Sequence, residues 1–283
     1  MEINIISVIE DRLPDLTRAQ RKIGEAILFN PKRFVGLSMH EIAVEVGTSE
    51  PTVVRFSREF GMSGLKELRI ALAMSVGLGE VGESKWQELS HDDKTLILAD
   101  QKLAIAREAA NLVETDGAIF LDSGSTVRQL AKFLHNANPL TIMTTSLPVL
   151  LELQGSSQHK LMLSGGNFRR DSLSLTGRLA ETAISDLVFD TAYIGADSID
   201  LDHGLSTFSE NEAHLTSAVI RSARRVVVLA DVSKFGAARL QRICSFDNVD
   251  VIVTSAEVPD EILGRLKDKG VRVILSNFST VAK

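Results

Sequence analysis

The first 75 residues carry apolar positions spaced three and four residues apart, which is the pattern of amphipathic helices. Two of these stretches begin with the spacing of a capping box, at Thr17–Gln20 and at Ser38–Glu41. We expect Asn30-Pro31 to end the first helix, because the residue before a proline is pushed out of the helical region. Gly47 supplies the next turn, and Ser49 is expected to cap a third helix.

From Ala118 onward the pattern changes to short β-branched or apolar runs that alternate with helical stretches. Uninterrupted apolar strands of this kind are typical of a mainly parallel sheet with helices on both faces. The predicted strands are Ala118–Leu121, Leu140–Met143, Lys160–Leu163, Leu187–Ile194, Val226–Ala230, Val249–Val253 and Val271–Leu275. The predicted fold class is therefore an α-helical domain followed by an α/β domain.

A polar, glycine-containing stretch separates the two patterns. Three glycines lie within residues 77–82, and most of the residues that follow them are polar. We therefore predict a helical domain at 1–75, a linker at 76–93 and an α/β domain at 94–283. A long helix, roughly Lys94–Glu114, is expected to open the second domain.

Composition narrows the class of protein. A chain of 283 residues with 44% hydrophobic and 24% charged residues is typical of a globular protein of about two domains. No apolar run approaches the ~20 residues of a membrane-spanning helix, and the acidic start does not resemble a signal peptide. The single cysteine, Cys244, excludes an internal disulfide, and the six histidines lack metal-ligand spacing. We expect a cytoplasmic protein with no membrane partner, metal or cofactor.

The negative net charge is confined to the second domain. Residues 1–75 hold ten basic and ten acidic residues, so the net charge of −6 arises entirely from the remainder of the chain. A nucleic-acid partner therefore has to bind a local patch of the N-terminal domain.

The turn at Gly47 and the helix predicted at Ser49–Phe60 have the arrangement of a helix-turn-helix, with the second helix as the recognition helix. Three apolar residues share the face expected to pack on the preceding helix: Val53, Phe56 and Phe60. Thr52, Arg55 and the Ser57–Arg58 pair are expected to lie largely outside that seam. An arginine can read a guanine edge, while hydroxyls and lysine suit phosphate oxygens. The candidate DNA-binding residues are Ser49, Thr52, Arg55, Arg58 and Lys66. A helical bundle with a solvated face is the alternative.

The same segment resembles the RpiR-type helix-turn-helix of bacterial sugar regulators. The resemblance covers about residues 1–75 and is carried by Leu37–Ala43, Val46–Ser49, Pro51–Phe56 and Phe60–Gly64, with Leu16–Pro31 matching the first helix. It implies operator DNA as a partner.

The loop Asp122-Ser123-Gly124-Ser125-Thr126 follows the first predicted strand and opens a helix. Its hydroxyls, its backbone N–H groups and the positive end of the helix dipole suit a phosphate, although a plain strand-to-helix turn is the alternative. Three more predicted strands end in polar loops, at Thr144–Ser146, Ser164–Asn167 and Gly195–Asp197. Because ligands bind at the carboxyl ends of parallel strands, these loops predict one pocket.

Lys234, after the strand Val226–Ala230, either neutralises the phosphate or is an ordinary surface lysine. The candidate effector-binding residues are Asp122, Ser123, Gly124, Ser125, Thr126, Thr145, Ser146, Gly165, Asp197 and Lys234. We expect Glu212 to form a capping box with Ser209, so it is not included in the site.

These loops, together with Asp190–Ala196 and Leu229–Phe235, resemble the sensor domain of DeoR-type regulators over about residues 90–275. The resemblance implies a fold like that of ribose-5-phosphate isomerase and a phosphorylated sugar as effector. The architecture departs from both families, since RpiR-type heads usually precede a sugar isomerase (SIS) domain and DeoR-type sensors usually follow a winged helix. We expect an oligomeric regulator, dimer or tetramer, that acts as a repressor of a carbohydrate-utilisation operon.

An isomerase with a helical appendage is the alternative function. The resembling isomerases carry a lysine and a proton-transferring glutamate between the Gly-Ala-Asp and Asp-x-Ser-Lys segments, and ungapped alignment places Thr207 and Thr216 there. A threonine hydroxyl cannot act as a general base near neutral pH, so we expect no catalytic residue and binding without turnover. A shifted register that brings in Glu210 or Glu212 would change that expectation.

Overall fold

The computed structural model describes residues 5–62, 64–75, 98–113 and 115–276. These residues form two units, one within Met1–Ile97 and the other within Leu98–Lys283. The predicted linker, 76–93, lies outside the described residues, as do the first four residues of the predicted long helix.

Within residues 5–62 and 64–75, the described part of the N-terminal unit, there are six short α-helices: α1 Ile5–Arg12, α2 Arg18–Phe29, α3 Pro31–Gly36, α4 Met39–Val46, α5 Glu50–Glu59 and α6 Leu65–Ser75. Both predicted capping boxes form, at the starts of α2 and α4. Asn30 ends α2 as predicted, and its side chain also accepts a hydrogen bond from the Arg33 N–H at the start of α3, a helix that the sequence pattern did not indicate. The apolar faces meet in a core that includes Ile9, Ile23, Ile27, Ile42, Val53, Phe56, Leu68 and Leu72.

The described residues of the C-terminal unit form twelve strands. They are β1 Ala118–Leu121, β2 Thr141–Thr144, β3 Lys160–Leu163, β4 Asn167–Arg169, β5 Ser174–Thr176, β6 Phe189–Ile194, β7 Ser198–Asp200, β8 Gly204–Thr207, β9 Ala223–Ala230, β10 Gln241–Cys244, β11 Val251–Ser255 and β12 Arg272–Ser276. Seven form a parallel sheet in the order β12-β11-β9-β6-β1-β2-β3. All seven predicted strands are present, with ends displaced by up to three residues, which confirms the predicted fold class.

Between residues 98 and 276, six α-helices accompany the sheet in the described structure: α7 Ala99–Ala110, α8 Ser125–Phe133, α9 Leu147–Leu153, α10 Arg178–Ser185, α11 Glu210–Arg221 and α12 Asp260–Asp268. One face of the sheet packs on α7, α8 and α9, around Ile105, Val127 and Leu229. The other face packs on α10, α11 and α12, around Ile184 and Val228. No helix of the described residues is long and apolar enough to cross a membrane.

Five of the strands in the described residues are short and were not predicted from the sequence pattern. The hairpin β4–β5 and the antiparallel sheet β10-β8-β7 have strands of three or four residues. Strands this short lack an apolar run long enough to be distinguished from a loop. They matter here because β4, β7 and β8 carry or adjoin residues of the site described below.

A polar network holds the loop between α7 and β1. Arg225 Nη2 donates to both Asp116 oxygens, at 3.1 and 3.2 Å, and to the Leu112 carbonyl at 2.9 Å. The Tyr193 hydroxyl donates to Asp116 Oδ2 at 3.0 Å, and burial raises the pKa of Tyr193 above its ordinary value. Charged and neutral donors therefore surround one carboxylate and fix the end of α7 against the sheet.

Candidate functional site

The segment from α4 to α5 has the helix-turn-helix geometry that the sequence predicted. Gly47 has φ +65, a left-handed conformation that costs other residues energy, and its N–H bonds to the last carbonyls of α4. Val53 and Phe56 are fully buried, and the Phe60 ring lies 5.0 Å from that of Phe56. The apolar seam of α5 is thus confirmed.

Two positions on α5 differ from the expectation. Thr52 is only 7% exposed and Ser57 is fully buried, with its hydroxyl donating to the Val53 carbonyl at 3.1 Å. The expectation that these two positions are exposed is wrong, because α2 and α6 also pack on α5, in addition to α4. Arg55 and Arg58 are exposed.

Thr52 contacts both neighbouring candidates. Its Oγ1 accepts a hydrogen bond from Arg55 Nη2 at 3.1 Å and lies 2.9 Å from Ser49 Oγ. Ser49 holds the N-cap position without making a side-chain bond to the helix backbone. Ser49, Thr52 and Arg55 thus form one polar chain along the start of α5, whereas the side chain of Lys66 lies outside the described part of the structure.

In the C-terminal unit, the loop after β1 is ordered by Asp122. Its Oδ1 accepts a hydrogen bond from the Ser123 N–H at 2.7 Å, and its Oδ2 accepts one from the Gly195 N–H at 3.1 Å. The carboxylate therefore ties together the loops after β1 and β6. Shielding from water raises the pKa of Asp122 above its usual range, against the opposing effect of the two N–H groups.

Helix α8 begins directly after this loop with Gly124 as its N-cap. Glycine offers no side chain, and no side-chain hydrogen bond caps this helix in the described structure. The N–H groups of Ser125, Thr126 and Val127 occupy the first turn, where no intrahelical acceptor exists. Such donors suit an anion, and the Ser125 side chain is only half-buried.

The candidates after β2 are buried. Ser146 is fully buried, and its Oγ accepts the Val149 N–H at 3.3 Å as the cap of α9. Thr145 is 1% exposed, and its Oγ1 has no hydrogen-bond partner among the described residues. Ser146 thus stabilises the start of α9, whereas the Thr145 hydroxyl at the end of β2 remains without a partner in the described part of the structure.

The loop after β3 contains two glycines with positive φ. Gly165 has φ +73 and lies in open space, whereas Gly166 has φ +116 and would place a Cβ 2.6 Å from the Thr176 carbonyl oxygen. Only a glycine fits at position 166 without displacing the hairpin β4–β5.

A charged network extends the site beyond the predicted residues. Thr207 Oγ1 bonds to Asp197 Oδ2 at 2.8 Å and to Glu212 Oε2 at 3.0 Å. Arg169 Nη1 lies 2.5 Å from Glu212 Oε1, and Arg169 Nη2 lies 2.6 Å from Asp171. Although burial opposes it, the carboxylates of Glu212 and Asp171 raise the pKa of Arg169.

The Ser209–Glu212 capping box is therefore only half formed. The Ser209 hydroxyl accepts the Glu212 N–H at 3.4 Å, but the Glu212 carboxylate turns to Arg169 and Thr207 instead of the Ser209 N–H. The prediction that capping alone accounts for Glu212 is wrong, because the hairpin carrying Arg169 supplies a cation that the sequence pattern did not reveal. The only sequence feature that drew attention to this network was Thr207, which stands where the resembling isomerases carry a lysine.

Lys234 ends a short turn, Val232–Lys234, that follows β9. Asp231 caps this turn by accepting the Ser233 N–H at 3.0 Å and the Ser233 hydroxyl. Among the described residues, no group of three His, Cys, Asp or Glu side chains is placed to hold a metal ion.

Residues 98–256, more than half of the chain, match the family model of the DeoR C-terminal sensor domain. The chain belongs to the DeoR sensor-domain family. Residues 3–77 match the helix-turn-helix domain of the rpiR family. The two matches confirm the predicted combination of an RpiR-type head with a DeoR-type sensor.

Curated relatives of this DeoR-type chain are named as transcriptional regulators. A putative aga operon transcriptional repressor of Escherichia coli O157:H7 is 32% identical over 66% of this chain and 70% of its own length. A glycerol-3-phosphate regulon repressor of Haemophilus influenzae is 27% identical over 70% of this chain and 77% of its own. Among solved structures, ribose 5-phosphate isomerase A from Methanocaldococcus jannaschii aligns with 48% of this chain and 54% of its own at 22% identity, with a TM-score of 0.35.

Proposed function

We propose that this DeoR-type regulator represses a carbohydrate-utilisation operon and that a sugar phosphate bound in its sensor domain controls it. The proposal is carried by two features of the same chain. The recognition helix has an exposed arginine, and the sensor has a helix that begins with hydroxyl residues and has no side-chain cap. The name of the Haemophilus relative refers to a phosphate ester, which supports the same ligand class.

The proposed DNA contacts divide into two kinds. Arg55 reads a base edge, while Ser49, Arg58 and Lys66 bind phosphates. Thr52, which is buried, holds the guanidinium of Arg55. Residues 76–93 are the proposed linker between this head and the sensor.

In the proposed ligand complex, the phosphate lies at the first turn of α8, against the Ser123–Thr126 loop, with Lys234 as its counter-ion. Thr145 and Gly165 are proposed to line the same edge. Asp197, together with Glu212 and Arg169, supplies acceptors and donors for sugar hydroxyls. Asp122 and Ser146 hold the loops in position from beneath.

Thermal shift tests the ligand class. The full chain is melted with glucose 6-phosphate, fructose 6-phosphate, ribose 5-phosphate and galactosamine 6-phosphate, each against its free sugar. A ligand at ~100 times its dissociation constant adds about 2.7 kcal/mol to the free energy of unfolding, so the cognate phosphate is expected to raise the melting temperature. Equal responses to the phosphorylated and free sugars would contradict the phosphate assignment.

DNA binding is tested with the regulatory DNA of the protein's own locus. Arg55→Ala is expected to weaken binding by about 1–3 kcal/mol and to relax preference at one base position. Lys66→Ala is expected to weaken all sequences alike and to flatten the salt dependence. A dimer, which we propose as the minimal active state, should favour half-sites about one helical turn apart or a multiple of it. If the protein does not bind this DNA at low salt, the proposed DNA-binding function is wrong.

Isomerase activity is the second candidate, because the Glu212 carboxylate faces Thr207 and Asp197. The Glu212 side chain is already engaged by Arg169 and by the Thr207 hydroxyl, and we propose binding without turnover. Incubation with aldose and ketose phosphates followed by chromatography tests this. Steady isomerisation that is lost in Glu212→Gln would overturn the regulator-only function.

A further inference from the structure

Lys102 lies on the buried face of α7, which is otherwise apolar. Its side chain is 4% exposed, and Ile105, Ala106 and Ala109 on the same face are fully buried. Burying an ammonium group is costly unless it is paired. Its Nζ lies 3.8 Å from Oδ2 of Asp231, whose side chain is 1% exposed. This buried ion pair joins α7 to the end of β9.

Asp231 also forms the turn that presents Lys234. Its second carboxylate oxygen accepts the N–H and the hydroxyl of Ser233, and its carbonyl accepts the Lys234 N–H at 3.1 Å. Any displacement of this turn by a ligand therefore moves the carboxylate that Lys102 contacts.

Two buried hydroxyls lie at the ends of the next two strands, on the same face of the sheet as this ion pair. Ser255 and Ser276 pair in register on β11 and β12, are fully buried, and have hydroxyls without a hydrogen-bond partner among the described residues. The register that pairs Thr254 with Ala230 places Ser255 beside Asp231, and strand alternation directs both serines to the face that α7 covers. A buried hydroxyl without a partner is unfavourable, so these serines offer the ammonium a second set of acceptors.

The two ends of α7 are held differently. Its C-terminal end is fixed by the network of Arg225 and Asp116. Its N-terminal end follows Leu98, which has φ +52, an unfavourable conformation for a residue with a side chain. A change at Lys102 therefore acts on the end of α7 that is nearer, along the sequence, to the proposed linker 76–93.

We propose that Lys102 is a positioning residue that couples ligand binding at the Lys234 turn to the first turn of α7, and through it to the linker. The inference rests on the proposed phosphate site. A phosphate that draws Lys234 towards the loop after β1 moves the Asp231 turn with it, so that the Lys102–Asp231 contact, 3.8 Å in this structure, shortens and holds the first turn of α7 more firmly against the sheet.

Hydrogen exchange measured by mass spectrometry tests the coupling without a known operator. The full chain is labelled with inorganic phosphate or with potassium chloride at matched ionic strength. In the wild type, phosphate is expected to slow exchange both at 123–127, the proposed ligand site, and at 98–104, the first turns of α7. We expect roughly 5-fold slowing or more at 98–104, the low end of typical coupling.

Three variants separate coupling from stability. Lys102→Met is expected to retain the slowing at 123–127 and to lose it at 98–104, whereas Lys102→Arg keeps both. Ile105→Val, on the same helix face, weakens packing without removing a charge and should also keep both. If Lys102→Met does not fold because the buried Asp231 carboxyl has lost its partner, the double variant Lys102→Met/Asp231→Asn, which changes both members of the pair, is used in its place.

The two segments distinguish the possible failures. If exchange in the wild type slows only at 123–127, or if Lys102→Met still shows the slowing at 98–104, the coupling through Lys102 is wrong. Neither result would contradict the proposed ligand site. No slowing at either segment would contradict the phosphate site itself, and with it the coupling.

Discussion

At the scale of single residues, the direction of Arg55 depends on its buried neighbour Thr52. The Thr52 hydroxyl accepts a bond from the Arg55 guanidinium at 3.1 Å, and Thr52 itself is held by the packing of α5. A side chain that is fixed before it meets DNA loses less conformational entropy on binding. We therefore propose that Thr52 contributes to recognition by orienting Arg55, without itself reaching a base.

Replacing Thr52 by valine tests this role. Thr52→Val keeps the shape of the side chain and removes the acceptor, so it is expected to weaken operator binding by about 0.5–1.5 kcal/mol, less than Arg55→Ala. The measurement is a fluorescence-anisotropy titration with operator DNA. Thr52→Ser keeps the hydroxyl and serves as the control. If Thr52→Val binds as tightly as the wild type, the hydroxyl plays no part in recognition.

Asp200 stabilises the turn of the β7–β8 hairpin, whose open end presents Asp197 and Thr207. Burial alone would raise its pKa, but the N–H and ring of His203 and the N–H of Asp202 lower the pKa of Asp200 to about 2. A carboxyl with a lowered folded-state pKa stabilises the fold above its unfolded pKa of ~3.9, and this contribution is lost as the pH falls through about 2.

Asp200→Asn is therefore expected to lower the free energy of unfolding by about 1–2.5 kcal/mol at pH 7, and by about half as much at pH 3. Urea unfolding of the full chain at both pH values measures the difference. Asp202→Asn is the control, because the Asp202 side chain is 71% exposed in its ion pair with Arg265 and contributes little. A loss for Asp200→Asn that is the same at pH 3 and pH 7 would argue against the carboxylate as its cause.

At the scale of elements, the hairpin β4–β5 places Arg169 over Glu212. Gly166 lies where β3 turns into this hairpin, and its Cα faces the Thr176 carbonyl so closely that no side chain fits. The neighbouring Gly165 also has a positive φ, +73, but faces open space. The two glycines therefore separate backbone strain from a steric clash.

Gly165→Ala is expected to cost about 1 kcal/mol through backbone strain alone. Gly166→Ala is expected to cost at least about 2 kcal/mol, because its Cβ would also displace the hairpin. It should also weaken ligand binding by moving Arg169. Melting curves with and without the sugar phosphate measure both effects. Equal costs for the two variants would show that the contact with Thr176 is not decisive.

At the scale of the whole molecule, ligand response and DNA binding are assigned to different units. Replacing Ser125 by leucine and Thr126 by valine fills the first turn of α8 and removes both hydroxyls. The double variant is expected to abolish the melting shift with sugar phosphate and to leave operator affinity within about twofold. Ser185→Leu, on the exposed end of α10, is the control and should keep both. A simultaneous loss of DNA binding would contradict the division of roles.

The sequence alone determined most of the secondary structure and indicated which loops form the candidate site. These features depend on residues that are close together in the chain, so the sequence pattern predicts them directly. They include the capping boxes, the turn at Gly47 and the seven apolar strands. Parallel strands bring their carboxyl ends to one edge, which is why the loops at Asp122 and Gly195 could be expected to meet.

Only the tertiary structure decided which polar side chains are buried and which ion pairs form. Thr52 is buried because three helices pack around α5, although its position along the helix indicated exposure. Glu212 pairs with Arg169, and Lys102 with Asp231, across 43 and 129 residues of sequence. Such pairs depend on how separate elements pack. The periodicity of one element shows which of its own residues share a face, but not which charged residues of a distant element will contact that face.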